Sequence, residues 1–200
     1  MTKIVKKTEQ TEIVQAIRDG KVVAFPTETV YGLGVKFGSK DALNCLMEAK
    51  NRDYSKAITL MVASPKEISS FAYVSDKAQK LIDAFMPGMI TLVFKKKECV
   101  DDAMTNGKTT IGIRIPDNEY VIGLLKEAGP MLVTSANLSN HSNTTSTQEV
   151  LDQLDGRIDY VVEGETSDNI ASTVVDVSKN EIIILREGKI TKKDIEEAIQ

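Results

Sequence analysis

The residues able to do chemistry in this chain stand at the ends of short apolar runs. Thr27, Glu28, Thr29 and Tyr31 directly follow the run at 22–25. Lys50-Asn51-Arg52 closes a helical pattern. Arginine grips an oxyanion through two parallel N–H groups and lysine adds a mobile charge, so this pair can clamp a phosphate. Ser135-Ala136-Asn137 offers a hydroxyl and an amide to a base or a phosphate. Arg114 lies inside the apolar stretch TIGIRIP, where a lone arginine must be paired or face a cavity. Ser172-Thr173 opens another apolar run, and Arg186 ends the last one. Each group has a plain structural alternative. Cations complement a helix C-terminus, Ser-x-Asn can cap a helix or form an Asx turn, and Ser-Thr can simply pack in a sheet. Together they gather hydroxyls and cations at strand ends, where ligands of α/β sheets bind, and the cations suit a polyphosphate.

Other chemistries find no support. There is no G-x-x-x-x-G-K-[ST] and no G-x-G-x-x-G, so any nucleotide site uses a less common design. G-x-S-x-G and H-E-x-x-H are also missing. Cys45 and Cys99 are far apart, which excludes a zinc knuckle and a disulfide framework and fits a reducing cytoplasm. His141, the one histidine, sits in a polar loop and cannot build a metal site. Lys plus Arg is 25 and Asp plus Glu is 29, a net charge of −4 that argues against coating nucleic acid by bulk charge. No signal peptide and no membrane span is expected.

The elements that must position these groups alternate. Helices are expected from Thr8 or Thr11 to Gly20, from Ala42 to Lys50, and over 65–71, 77–85, 120–128, 150–154 and 190–199. Strands are expected over 22–25, 58–62, 90–94, 111–115, 131–134, 160–162, 172–177 and 182–185, the last two forming a hairpin across Lys179-Asn180. Residues 26–34 read as a turn-rich connection and 138–147 as a surface loop. Helix–strand alternation followed by a hairpin predicts one α/β domain with a twisted mixed sheet, parallel and antiparallel, flanked by helices. The expected domain covers 8–190, with a C-terminal helix at 191–200 packed on it.

The motifs PTETVYGLG (26–34), KNR (50–52), PGMITLVF (87–94), TIGIRIPDN (110–118), TSANLS (134–139), STVVD (172–176) and LREG (185–188) occur in the order found in the YrdC-like family, which the chain resembles. That family contains threonylcarbamoyl-AMP synthases of TsaC type. The resemblance implies a single-domain enzyme that joins L-threonine, bicarbonate and ATP, releases pyrophosphate and lacks the extra C-terminal domain of longer synthases. Magnesium would arrive with ATP. A tRNA threonylcarbamoyl-transferase complex would take the product to adenosine 37 of tRNAs reading ANN codons.

Carried over residue by residue, the resemblance places Lys50 and Arg52 on the ATP phosphates as the charge-neutralising catalytic pair. Ser135, Asn137 and Arg186 belong to the nucleotide, with Thr110 and Asn143 as further contacts. Thr27, Tyr31, Arg114, Val133 and Ser172 belong to threonine, Arg114 on its carboxylate. Many members read K-x-R-P-x-x-x-P-L with a histidine three residues later. Here Asp53 follows Arg52 and Met61 holds the histidine position, so Lys56 and Thr59 are expected to substitute beside threonine. Two rival functions remain from the same resemblance. One is a non-catalytic module for double-stranded RNA or tRNA. The other is a carbamoyl-transfer domain, which the shortage of cysteines disfavours.

Overall fold

The computed structural model describes residues 1–53 and 56–200. Period-two alternation sorts each strand between two faces. In β6 (Thr110–Arg114) Ile111 and Ile113 are buried in the larger core, while Thr110, Gly112 and Arg114 line a cavity on the other face. The same division runs through β4 (Thr59–Met61), β5 (Ile90–Lys95), β7 (Met131–Ser135) and β9 (Thr173–Asp176). Leu60, Leu92, Leu132 and Val175 go to the core, and Thr59, Thr91, Val133 and Val174 to the cavity.

The remaining strands are β1 (Lys3–Val5), β2 (Val23–Phe25), β3 (Gly32–Lys36), β8 (Tyr160–Val162) and β10 (Ile183–Arg186). They complete one sheet in the order β1-β8-β2-β3-β7-β4-β6-β5-β9-β10. Pairs β1/β8, β2/β8, β4/β6 and β5/β9 are parallel and the others antiparallel, which makes the sheet mixed, as predicted.

Helices cover the faces unequally. The larger core holds residues of α2 (Lys40–Ala49), α3 (Pro65–Phe71), α4 (Asp76–Phe85), α6 (Thr147–Leu154) and α7 (Lys192–Ala198). On the other face, α1 (Gln10–Arg18) and α5 (Glu119–Ala128) seal only part of the sheet, through Ile13, Ile17, Leu124 and Leu125 against Phe25, Met61 and Val133. Burying each such aliphatic side chain contributes roughly 1.5–3 kcal/mol, so this two-helix layer is firmly held. The cavity occupies sheet face beside that layer.

Several expectations need correction. Residues 26–34 are not wholly a turn, because Gly32 begins β3, which pairs with both β2 and β7. The glycines hid this strand, and packing explains them. A Cβ at Gly34 would stand 2.8 Å from the Phe25 ring, and one at Gly32 3.0 Å from it. β1 was not expected, and its pairing with β8 extends the sheet to residues before position 8. α1 starts at Gln10, after a short 3-10 turn over Lys7–Glu9, rather than at a threonine cap. The hairpin of β9 and β10 forms as read. Lys80 Nζ of α4 donates to the Ile199 carbonyl at 3.2 Å, and Ile195 of α7 is buried in the larger core.

Candidate active site

The cavity has a volume of about 300 Å³ and is bordered by three arginines, Arg52, Arg114 and Arg186. Around them stand the hydroxyl residues Thr27, Thr29, Thr59, Thr91, Thr105, Thr110, Thr134, Ser135 and Ser172. Each arginine is held differently. Arg114 Nη2 donates to Glu28 Oε1 at 2.6 Å and to Thr29 Oγ1 at 3.0 Å. Arg186 donates to the Ser172 carbonyl through Nε at 3.1 Å and Nη2 at 2.8 Å. Arg52 Nη2 donates to the Ala57 carbonyl at 2.8 Å, and its Nε is buried without a partner.

The Thr27–Thr29 loop is internally saturated. Thr27 Oγ1 donates to the Val30 carbonyl at 2.7 Å, so the 2.9 Å contact between the two hydroxyls takes its proton from Thr29. Thr29 Oγ1 keeps its lone pairs for Arg114. Thr91 Oγ1 and Ser172 Oγ, both in the lining, lie 3.0 Å apart.

Burial pushes the Arg52 guanidinium below its usual value. Arg186 is lowered by burial first and then by the charge of Arg114. Neutral carbonyls orient Arg52 and Arg186 but cancel none of their charge. A carboxylate or phosphate entering between them would relieve that cost.

Some predicted site residues do not reach the cavity with their side chains. Lys50 is almost fully buried at the C-cap of α2, and its Nζ donates to the carbonyls of Ser135 and Asn137. It braces the Ser135–Asn137 turn and does not border the cavity, contrary to the expected place on the phosphates. Burial first, then Arg52 and Lys56, push its pKa down to about 7. Asn137 turns away to donate to the carbonyls of Leu138 and His141, both at 2.8 Å. No helix begins there, so the capping alternative for Ser-x-Asn falls and a turn remains. Tyr31 borders the cavity as expected, while its ring packs into the larger core on the face set by the alternation of β3. Its hydroxyl lies 2.8 Å from the Gly164 carbonyl, and burial raises its pKa to about 12. Lys56 reaches instead to Asn140 Oδ1 at 2.9 Å. Thr27, Tyr31, Thr59, Thr110, Arg114, Val133, Ser135, Asn143, Ser172 and Arg186 border the cavity together with Arg52.

The sequence names Glu28 among the polar residues after the first strand but gives it no role, and Thr91 is not singled out at all. Thr91 carried a signal, a hydroxyl alternating with Ile90 and Leu92 in an otherwise apolar strand. Glu28 lay within the quoted motif, but its pairing with Arg114, 86 residues away, is a tertiary fact. Two buried polar atoms without a hydrogen-bond partner, Arg52 Nε and Arg114 Nε, belong to residues that border the cavity, and a third, Glu28 Oε2, to the carboxylate paired with Arg114.

Fold and site together define an α/β protein whose open sheet face carries a cationic, hydroxyl-rich cavity. A family model for Sua5, YciO and YrdC, described as telomere recombination, matches residues 15–188, and the chain belongs to that family. A Bacillus subtilis protein named threonylcarbamoyl-AMP synthase is 36% identical over 96% of this chain, which spans 58% of that protein's length. The crystal structure of P. abyssi Sua5 complexed with L-threonine superposes with a TM-score of 0.93 at 32% identity, over 100% of this chain and 61% of that one. E. coli YciO superposes with a TM-score of 0.86 at 28% identity, over 94% of this chain and 96% of that one. Among the described residues, no helix is long and apolar enough to cross a membrane.

Proposed function

We propose that the chain is an L-threonylcarbamoyladenylate synthase, a nucleotidyltransferase that binds magnesium–ATP and L-threonine together in the cavity. The observation that carries this reading is the convergence of Arg52, Arg114 and Arg186 on one cavity, two of them oriented by neutral carbonyls. The names of the Bacillus relative and of the threonine complex of P. abyssi Sua5 support it.

Arg114 takes the threonine carboxylate, beside Thr27, Val133 and Ser172. Arg52 and Arg186 take the phosphates, with Ser135, Thr110 and Asn143 around the nucleotide. Lys50 supports the nucleotide side by holding the Ser135–Asn137 turn. The threonine amine combines with bicarbonate, losing water, to give a carbamate. A carbamate oxygen then attacks the α-phosphorus of ATP and pyrophosphate leaves. No protein nucleophile is required, so the contribution of the chain is positioning and neutralisation of the charge that develops on the phosphates. The carbamate is labile in water, and a recessed site protects it. The threonylcarbamoyl-adenylate would then pass to a tRNA-modifying transferase complex.

The test is pyrophosphate release from ATP by the purified chain, with and without L-threonine and bicarbonate. Release that requires both supports the synthase. ATP binding with no release under any condition contradicts it.

A further inference from the structure

Glu28 takes no part in the chemistry above, yet it is a carboxylate only 8% exposed, flanked in the chain by Thr27 and Thr29, which border the cavity. Its Oε1 accepts two hydrogen bonds, from Arg114 Nη2 at 2.6 Å and from the Asp117 backbone N–H at 3.0 Å. It therefore ties the loop after β2 to the turn after β6. Arg114 Nη2 spends its second hydrogen on Thr29 Oγ1, so the guanidinium is fixed in orientation. Arg114 is also near enough to Arg186 for its charge to lower the pKa of Arg186. Of the three arginines that border the cavity, Arg114 is paired with a carboxylate, that of Glu28.

We propose that Glu28 is a positioning and specificity residue that reserves Arg114 for the carboxylate of an amino acid and withholds it from the nucleotide phosphates. The inference rests on the reading of the cavity as a joint site for threonine and ATP. Its logic is electrostatic. A neutral Arg114–Glu28 pair gives direction to a carboxylate through the remaining N–H groups, and a zwitterion brings its own cation. A polyphosphate gains little there, because its several charges meet the fixed carboxylate. Without Glu28, Arg114 becomes a bare cation beside Arg186, and phosphate competes for it.

The experiment compares wild type, Glu28→Gln and Glu28→Asp in threonine-dependent pyrophosphate release and in ATP binding by calorimetry. For Glu28→Gln the half-saturating threonine concentration should rise roughly ten- to a hundredfold. ATP affinity should hold or tighten, and added pyrophosphate should inhibit more strongly. Glu28→Asp should recover part of the threonine affinity. Unchanged threonine saturation overturns the proposal, and so does a parallel loss of threonine and ATP affinity, which would mark a merely structural residue. If Glu28→Gln fails to fold, Glu28→Asp decides by the same split between the two ligands. A wild-type chain with no threonine-dependent release overturns the synthase reading itself. An active wild type with unaltered variants overturns only the role of Glu28.

Discussion

Lys50 Nζ donates to the Ser135 carbonyl, so the lysine of the K-x-R motif braces a turn while Arg52, two residues on, borders the cavity. This buried lysine has a pKa near 7, against 10.5 in an exposed position. The unfolded chain therefore binds more protons than the folded one between those values, and the contribution of Lys50 to stability rises with pH across that window. Below about pH 7 the cost of burying the charge is fully present. Urea unfolding of wild type and Lys50→Met at pH 7 and pH 9.5 checks this. The difference between them should shift in favour of wild type at the higher pH, and a difference independent of pH would show that the lysine is not desolvated.

Arg52 is expected to carry ATP affinity. Removing a charge-assisted phosphate contact costs roughly 1.5–3 kcal/mol, about ten- to a hundredfold or slightly more in affinity. Calorimetric titration of Arg52→Ala, with its fold confirmed by circular dichroism, measures it. Unchanged affinity would reduce Arg52 to the end of a helix.

Arg114 is expected to govern threonine. Arg114→Lys keeps the charge but loses the planar guanidinium that pairs with Glu28 and Thr29 and, in the proposed role, would meet the threonine carboxylate. Half-saturation by threonine should rise strongly while ATP binding stays nearly intact. Equal damage to both ligands would refute the division of labour between Arg114 and Arg52.

Amino-acid selectivity should be relaxed. Met61 and Val133 border the cavity, and Met61 stands where many members of the family have a histidine. Losing one polar contact is worth roughly 0.5–1.5 kcal/mol, a modest effect. Pyrophosphate release should therefore respond to L-serine or L-valine as well as L-threonine, each with bicarbonate, but most strongly to threonine. Strict dependence on threonine would show that Thr59 or another neighbour replaces the histidine.

Gly34→Ala should destabilise the fold by about 1–3 kcal/mol, the usual cost of overpacking a well-filled site. The added Cβ would meet the Phe25 ring at 2.8 Å, and Phe25 is fully buried under α1 and α5. The urea midpoint measures this. An unaltered midpoint would mean that the Phe25 ring is free to move aside.

The sequence made the fold legible where alternation was strong. Ile111, Ile113 and Arg114 already declared a strand with one core face and one special face, and both are present. Legibility failed at β3, where two glycines chosen to accommodate Phe25 removed the hydrophobic signal. It failed at β1, whose three residues are a strand only because β8 offers them an edge. In the site, the cations were visible because arginine is costly inside apolar runs. Their partners were not. Nothing local links Glu28 to Arg114, or Lys50 to the carbonyls of Ser135 and Asn137, since those pairings exist only once the sheet has assembled. The direction of Tyr31 was lost with β3, because its face follows from the strand that was not recognised.

The central claim is that threonine, one carbon from bicarbonate and the adenylate of ATP are joined in this cavity. Its most direct measurement follows carbon-14 from labelled bicarbonate in the presence of the purified chain, ATP, magnesium and L-threonine, with nucleotides separated and identified by mass. The label should move into a nucleotide that also contains threonine, only when all components are present, and should be strongly reduced by Arg52→Ala and by Arg114→Lys. Label that never enters a nucleotide, in a chain that demonstrably binds both ATP and threonine, would contradict the account.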